Sequence, residues 1–119
     1  MLVIREAQMK AFRTKVLQEF ENRRLADIAR RFPTRYAELG EAEARSIIQI
    51  GVRASEQLDI HSEAAVRSYI DLMIVYGESF DRDSKLAFET APLRSRRLPA
   101  DARVSLTMAR LGVEPGFHE

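Results

Sequence analysis

Between residues 9 and 32, apolar side chains fall mostly three or four residues apart, which is the spacing of one helix face. The stripe consists of Met9, Phe12, Val16, Phe20, Ile28 and Phe32, and Leu17 and Leu25 widen it. The step from Phe32 to Pro33 should end the helix, because a residue before proline is pushed out of helical geometry and proline has no amide hydrogen. The pattern therefore predicts a long amphipathic helix over about residues 5–31.

Two further helices are predicted before residue 78. Residues 34–40 form a connector or a short helical turn, and a second helix follows over about residues 41–58. Within it, Gly51 is either a weak point or a site where a neighbouring helix comes close. The third helix has clear ends, since Ser62 is suited to be its N-cap and Gly77 its left-handed stop. The residues between them form an apolar stripe that requires a partner surface.

Beyond Gly77 apolar residues are sparser, and prolines interrupt the chain. Pro99 is predicted to open a last helix that ends at Gly112. The residues from Val113 onward are predicted to fray. With no internal repeat and no strand-like alternation of useful length, the sequence predicts an all-α fold, a small helical bundle of about four or five helices. We expect a single helical domain over residues 1–112 and a frayed tail over residues 113–119.

Composition narrows the classes of partner. Hydrophobic residues make up 45% of the 119-residue chain and charged residues 31%, which is typical of a folded helical domain. The net charge of +1 provides no long-range field to capture nucleic acid or an anionic membrane. The absence of cysteine excludes disulfides, thiolate metal sites and thiol nucleophiles. Charged residues interrupt the apolar run that a signal peptide would need at the N-terminus, and no stretch is apolar enough to resemble a membrane span. We therefore expect a cytoplasmic protein with no membrane contact.

Side chains suited to catalysis or metal binding are sparse. His61 lies at a predicted helix entry and His118 near the last residue, so the two lack metal-binding spacing. Glu78, Asp81 and Asp83 alternate in a loop as the ligands of a hard cation do, but the glycine and distal glutamate of a calcium loop are missing. We prefer a solvated loop with capping aspartates. We predict no catalytic residue, no cofactor and no metal.

Arginines cluster at residues 23–35 and again at residues 94–97, and either cluster has the charge to grip phosphates. Acidic residues such as Glu21 and Asp27 are interleaved with the first cluster, which favours a surface laced with ion pairs. We therefore expect no nucleic-acid partner, and a basic-patch nucleic-acid binder remains an alternative.

Five aromatic residues are candidate contacts with a protein partner. Phe12 and Phe20 lie on the first helix, whose apolar stripe is long enough to extend past its own bundle and meet another chain. Tyr76, Phe80 and Phe88 lie at or beyond the end of the third helix, where a small bundle leaves aromatic surface uncovered. For Phe80 and Phe88, core packing is the other interpretation.

Four segments occur together in one order, and their combination resembles a known family. They are VIREAQMKAF, IARRFPTRYAELGE, IIQIGVRASEQLDIHSEAAVRSYIDLM and YGESFDRD. The family comprises small bacterial proteins encoded beside type VI secretion spike and effector genes. The resemblance covers roughly residues 2–83. Family members often continue with an aromatic, proline-containing segment, and this chain instead has the sequence SKLAF at residues 84–88.

The resemblance implies an accessory role in type VI secretion. We expect a non-enzymatic protein that binds an effector or spike component in the cytoplasm as a chaperone or co-adaptor. An immunity protein that neutralises a neighbouring toxin is the first alternative, although such inhibitors frequently present a charged plug and this balanced chain shows none. Self-association is compatible with the long apolar stripe.

Overall fold

The computed structural model describes the backbone of residues 2–119 and the side chains of residues 6–119, so Met1 of the predicted domain lies outside the described residues. Five α-helices follow one another: α1 (Leu2–Arg31), α2 (Pro33–Gln57), α3 (Glu63–Tyr76), the single turn α4 (Ala87–Thr90) and α5 (Ala100–Leu111). Three short 3-10 turns lie around α4, at Phe80–Arg82, Ser84–Leu86 and Ala91–Arg94. The described chain contains no strand. The predicted all-α bundle with a long N-terminal helix is confirmed.

Proline and glycine set the path of α1 and α2. Phe32 alone separates the two helices, and Pro33 occupies the first turn of α2. Inside α2 the backbone of Gly40 is non-helical, with φ 80° and ψ 164°, so the helix changes direction there. Glycine accepts this positive φ without the steric cost of a side chain. The predicted connector at residues 34–40 is therefore a short helix that ends at a kink.

The predicted ends of α3 are present. The Ser62 hydroxyl accepts a hydrogen bond from the Ala65 amide at 3.1 Å, which caps the first turn. Gly77 ends the helix with φ 106°. α3 packs closely on α2 at Gly51, where a Cβ atom would lie 2.7 Å from Ile70 Cγ1. Gly51 is thus a site of close helix approach.

The last seven residues differ from the prediction that they fray. Gly112 ends α5 in the left-handed conformation, and the chain then turns back onto the α1–α2 joint. The Phe117 ring meets the Phe32 ring edge to face, with centroids 5.2 Å apart. The Glu119 carboxylate accepts hydrogen bonds from the Thr34 amide at 3.0 Å and the Arg35 amide at 2.9 Å. Glu119 therefore caps α2, whose own N-cap residue has no side-chain hydrogen bond.

One part of the molecule lies outside the core. Residues 6–19 of α1 are all solvent-exposed, and we call this segment the arm. The radius of gyration is 15.5 Å, whereas a compact chain of this length has about 13.5 Å. The core begins with Leu25 on α1 and continues through α2, α3 and α5. The arm is therefore a helix that projects from the bundle.

Candidate protein-binding surface

The arm carries large apolar side chains in contact with solvent. Met9 is 51% exposed, Phe12 63%, Val16 45% and Leu17 47%. Their spacing of three, four and one residues places them on one side of the helix. Scattered exposed apolar residues are normal, but a continuous row on a projecting helix is typical of an interaction surface.

The apolar row continues into a groove at the base of the arm, where α1 leaves the bundle. The groove has a volume of about 300 Å³. Its apolar lining consists of Val16, Leu17, Phe20, Val52, Ile60 and Val66, and its polar lining of Arg23, Glu56, His61 and Glu63. Arg23 and Glu63 face each other at 3.4 Å. The arm and the groove thus form one surface with an apolar floor and a charged rim.

Charge is unevenly distributed along the exposed part of α1. Lys10, Arg13 and Lys15 lie in the arm, and Glu19 and Glu21 follow them. Glu21 fastens the base of the arm to α2, because it accepts a hydrogen bond from Gln49 Nε2 at 2.9 Å and pairs with Arg45 at 3.4 Å. The arm from Glu6 to Lys15 is therefore net basic, whereas at its base the two glutamates are followed by Arg23.

The structure separates the five aromatic residues that the sequence singles out. Phe12 lies on the arm, and Phe20 is half-buried in the groove. Phe88 is 67% exposed, but the Arg110 guanidinium covers one face of its ring, with the guanidinium carbon 4.1 Å from the ring centroid. Tyr76 is half-buried against the core.

The prediction that Phe80 contacts a partner is wrong, because Phe80 lies in the core. Its side chain is 1% exposed and packs on Tyr69, with ring centroids 5.5 Å apart. Burial also raises the pKa of Tyr69 to about 12, with the nearby Asp81 carboxylate adding to the effect. Phe80 is therefore a core residue that closes the end of α3.

The first arginine cluster is engaged within the bundle. Arg31 is buried, donates hydrogen bonds to Asp27 and to Asp71, the latter at 2.8 Å, and also donates to the Phe117 carbonyl oxygen at 2.8 Å. Asp27 also pairs with Arg30 at 2.7 Å. This network joins α1, α3 and the C-terminal residues.

The pKa values of the network follow from burial and pairing. Burial raises the pKa of Asp71 above its ordinary value, although its bond to Arg31 acts in the opposite direction. Burial alone would lower the pKa of Arg31, but hydrogen bonds to Asp27 and Asp71 raise it. Burial likewise opposes ionisation of Asp27, whereas its bond to Arg31 and the surrounding arginines lower its pKa. Because Arg31 and Asp71 are shielded from solvent, we interpret the network as structural.

Two arginines, Arg96 of the second cluster and Arg103 on α5, support the end of α2. Arg96 donates to Asp59 at 2.8 Å and to the Gln57 carbonyl at 3.2 Å. The buried Arg103 donates to the Leu58 carbonyl at 2.7 Å. Cations near these last carbonyls stabilise a helix end. The sequence pattern missed Arg103, since an arginine on the apolar side of a predicted helix has no local signal for burial.

The other candidate side chains do not assemble into a site. His61 is exposed, and its closest carboxylate is Asp59 at 4.0 Å. Asp83 caps the next 3-10 turn by accepting from the Lys85 amide at 2.9 Å. Within the described residues, no group of three or more histidines or carboxylates is arranged to hold a metal ion. The described helices also include none that is both long and apolar enough to cross a bilayer.

Comparison with known proteins adds no relative. No protein-family model matches the chain, and neither a curated protein nor a solved structure matches it.

Proposed function

We propose that this chain is a non-enzymatic accessory protein of type VI secretion, which uses the arm and the groove to hold an effector or spike component as a chaperone or co-adaptor in the cytoplasm. The observation that supports binding is the exposed apolar row from Met9 to Leu17. The observation that supports the secretion context is the resemblance over residues 2–83. The chemistry required is burial of a partner's apolar surface, with charged residues at the rim selecting the partner.

Phe12 is the expected centre of the interface. It is the aromatic residue of the arm and is 63% exposed, and aromatic anchors contribute much of the binding energy at typical interfaces. Truncating such an anchor costs about 2 kcal/mol or more, which corresponds to an approximately thirtyfold loss of affinity. A charge at the same position would cost more, because it would be buried without a counter-ion.

Co-purification from the organism that encodes the chain tests the proposal. The tagged wild type should recover a secretion effector or spike component at mild salt, and Phe12→Glu should not. Ala11→Glu is the matched control, since it adds the same charge to the same helix at an exposed position on the other side. If the wild type recovers no secretion component, the proposal is wrong.

Gene deletion distinguishes this role from immunity. Loss of a chaperone or co-adaptor should abolish killing of neighbouring cells and leave the producer healthy. Self-intoxication of the deletion strain would instead identify an immunity protein.

A further inference from the structure

We propose that a second copy of this chain covers the arm, with the two arms packed antiparallel and each arm tip seated in the groove of the other molecule. The inference shares its surface with the proposed function but does not depend on it, because no secretion component takes part. It also specifies how the arm is protected from water when no other partner is bound.

The shape of the surface defines what covers it. The occupant must offer a narrow apolar row that lies along one helix and continues into the groove beyond Phe20. The row from Met9 to Phe20 is itself such a shape, and it spans about 16 Å of helix. A molecule with both the projecting row and the receiving groove can satisfy a second copy of itself twice. The resulting contact is closed and two-fold, which is the commonest symmetry of protein dimers.

Charge selects the antiparallel arrangement. If the two-fold axis crosses the row at its midpoint, between residues 14 and 15, antiparallel packing places Lys10 of each arm level with Glu19 of the other molecule and Glu6 level with Arg23 on the groove rim, while Arg13 and Lys15 lie near the axis. Parallel packing would bring like charges together along the arm. Opposed helix dipoles also favour the antiparallel pair. Complementary charge at both ends of the contact thus adds selectivity to the apolar contact.

The first test is the mass of the purified full-length chain in solution, measured by light scattering after size-exclusion chromatography over a concentration series. The wild type should reach twice the 13.6 kDa of one chain. Phe12→Glu should remain at the mass of one chain, and Ala11→Glu should still dimerise. Both variants should keep the wild-type circular dichroism spectrum outside the small change at the arm, because neither residue contacts the core.

The second test reads the direction of packing from cross-links. The chain has no cysteine, so single substitutions report cleanly. If the two-fold axis crosses the apolar row at its midpoint, between residues 14 and 15, the two copies of residue 16 lie close together. The two copies of residue 9 are then about 16 Å apart along the helix. With a short bismaleimide, Val16→Cys should form covalent dimers in much higher yield than Met9→Cys.

Three results would overturn the inference. They are a monomeric wild type at all concentrations, dissociation by Ala11→Glu as complete as by Phe12→Glu, and cross-linking at residue 9 that equals or exceeds that at residue 16. A monomeric wild type that still recovers a secretion component would overturn the dimer and leave the proposed function intact. A dimeric wild type that recovers no secretion component would support the dimer and contradict the proposed function.

Discussion

Replacing Gly51 with alanine sets two opposing effects against each other at the contact between α2 and α3. The new methyl group would lie 2.7 Å from Ile70 Cγ1 and 3.2 Å from Met73 Sδ. Ile70 is fully buried and β-branched, so its Cγ1 cannot swing aside as the end of a flexible side chain would. Overpacking of this kind costs about 1–3 kcal/mol, whereas alanine is favoured over glycine inside a helix by about 1 kcal/mol. We expect a net loss of about 1 kcal/mol in the free energy of unfolding.

Urea unfolding followed by circular dichroism measures this difference, and a thermal scan should show Tm lower by about 4 °C. Ile70→Ala provides the control, because it removes the atom that the new methyl group meets. In that background Gly51→Ala should stabilise the protein by up to about 1 kcal/mol, since the helix preference of alanine is no longer opposed. If Gly51→Ala stabilises the wild type by that amount, or if the two substitutions are additive, the close approach does not limit packing at this site.

Three further predictions concern charges in the folded state. Arg31→Met should lower the free energy of unfolding, measured in urea near neutral pH, by about 3 kcal/mol, because it leaves Asp71 buried without its partner. This loss should become smaller as the pH falls and Asp71 takes up a proton. Hydrogen bonds from the Arg35 and Thr34 amides lower the pKa of Glu119 below its ordinary 4.5, so its contribution is present above that pH and lost as the pH falls through the folded-state pKa. The Tm difference between the wild type and Glu119→Gln should therefore vanish in acid, and a constant difference would disprove the cap. Burial raises the pKa of Tyr69 to about 12, so phenolate absorbance should show this residue ionising near that pH in the wild type and not in Tyr69→Phe. The stability linked to Tyr69 should be lost as the pH rises from 10 through 12, and ionisation of Tyr69 at the ordinary pKa of 10 in the folded protein would contradict its burial.

The ends of the helices were predictable because their causes are local. Proline at residue 33 prevents the α1 geometry from continuing, and a serine hydroxyl reaches the Ala65 amide three residues further on. Glycines at residues 77 and 112 take positive φ values that other residues rarely adopt. Each signal acts within about one helical turn, and a single sequence contains it in full.

The last seven residues were not predictable because their partners are distant in sequence. Phe117 packs on Phe32, and the amides that Glu119 caps belong to residues 34 and 35. No local pattern near residue 117 indicates that a helix N-terminus more than eighty positions earlier has backbone amides without hydrogen-bond partners. The same limit applies to Phe80, since the length of an exit loop does not specify whether its aromatic residue turns inward onto Tyr69.

The arm shows what apolar periodicity predicts and what it leaves open. The stripe extends from Met9 to Phe32, yet only its second half meets the core. Periodicity reports that a helix face needs covering, but it does not specify which chain supplies the cover. Phe20 is the first described residue of α1 that packs against the core, so the intramolecular cover of the stripe stops there.

Burial of the apolar row by another molecule and helix formation in the arm are therefore thermodynamically linked. An isolated helix of about fifteen residues is only marginally stable in water. Its first turn fixes several residues for a single hydrogen bond, and each later residue adds only one more bond to offset that cost. The bundle supplies the nucleus for α1, since Glu21 is held by Gln49 and Arg45 and Leu25 is buried in the core. Residues 6–19 extend that helix as a solvent-exposed segment. Any molecule that buries the row from Met9 to Leu17 gains the energy of apolar burial and also stabilises the helix on which the row depends.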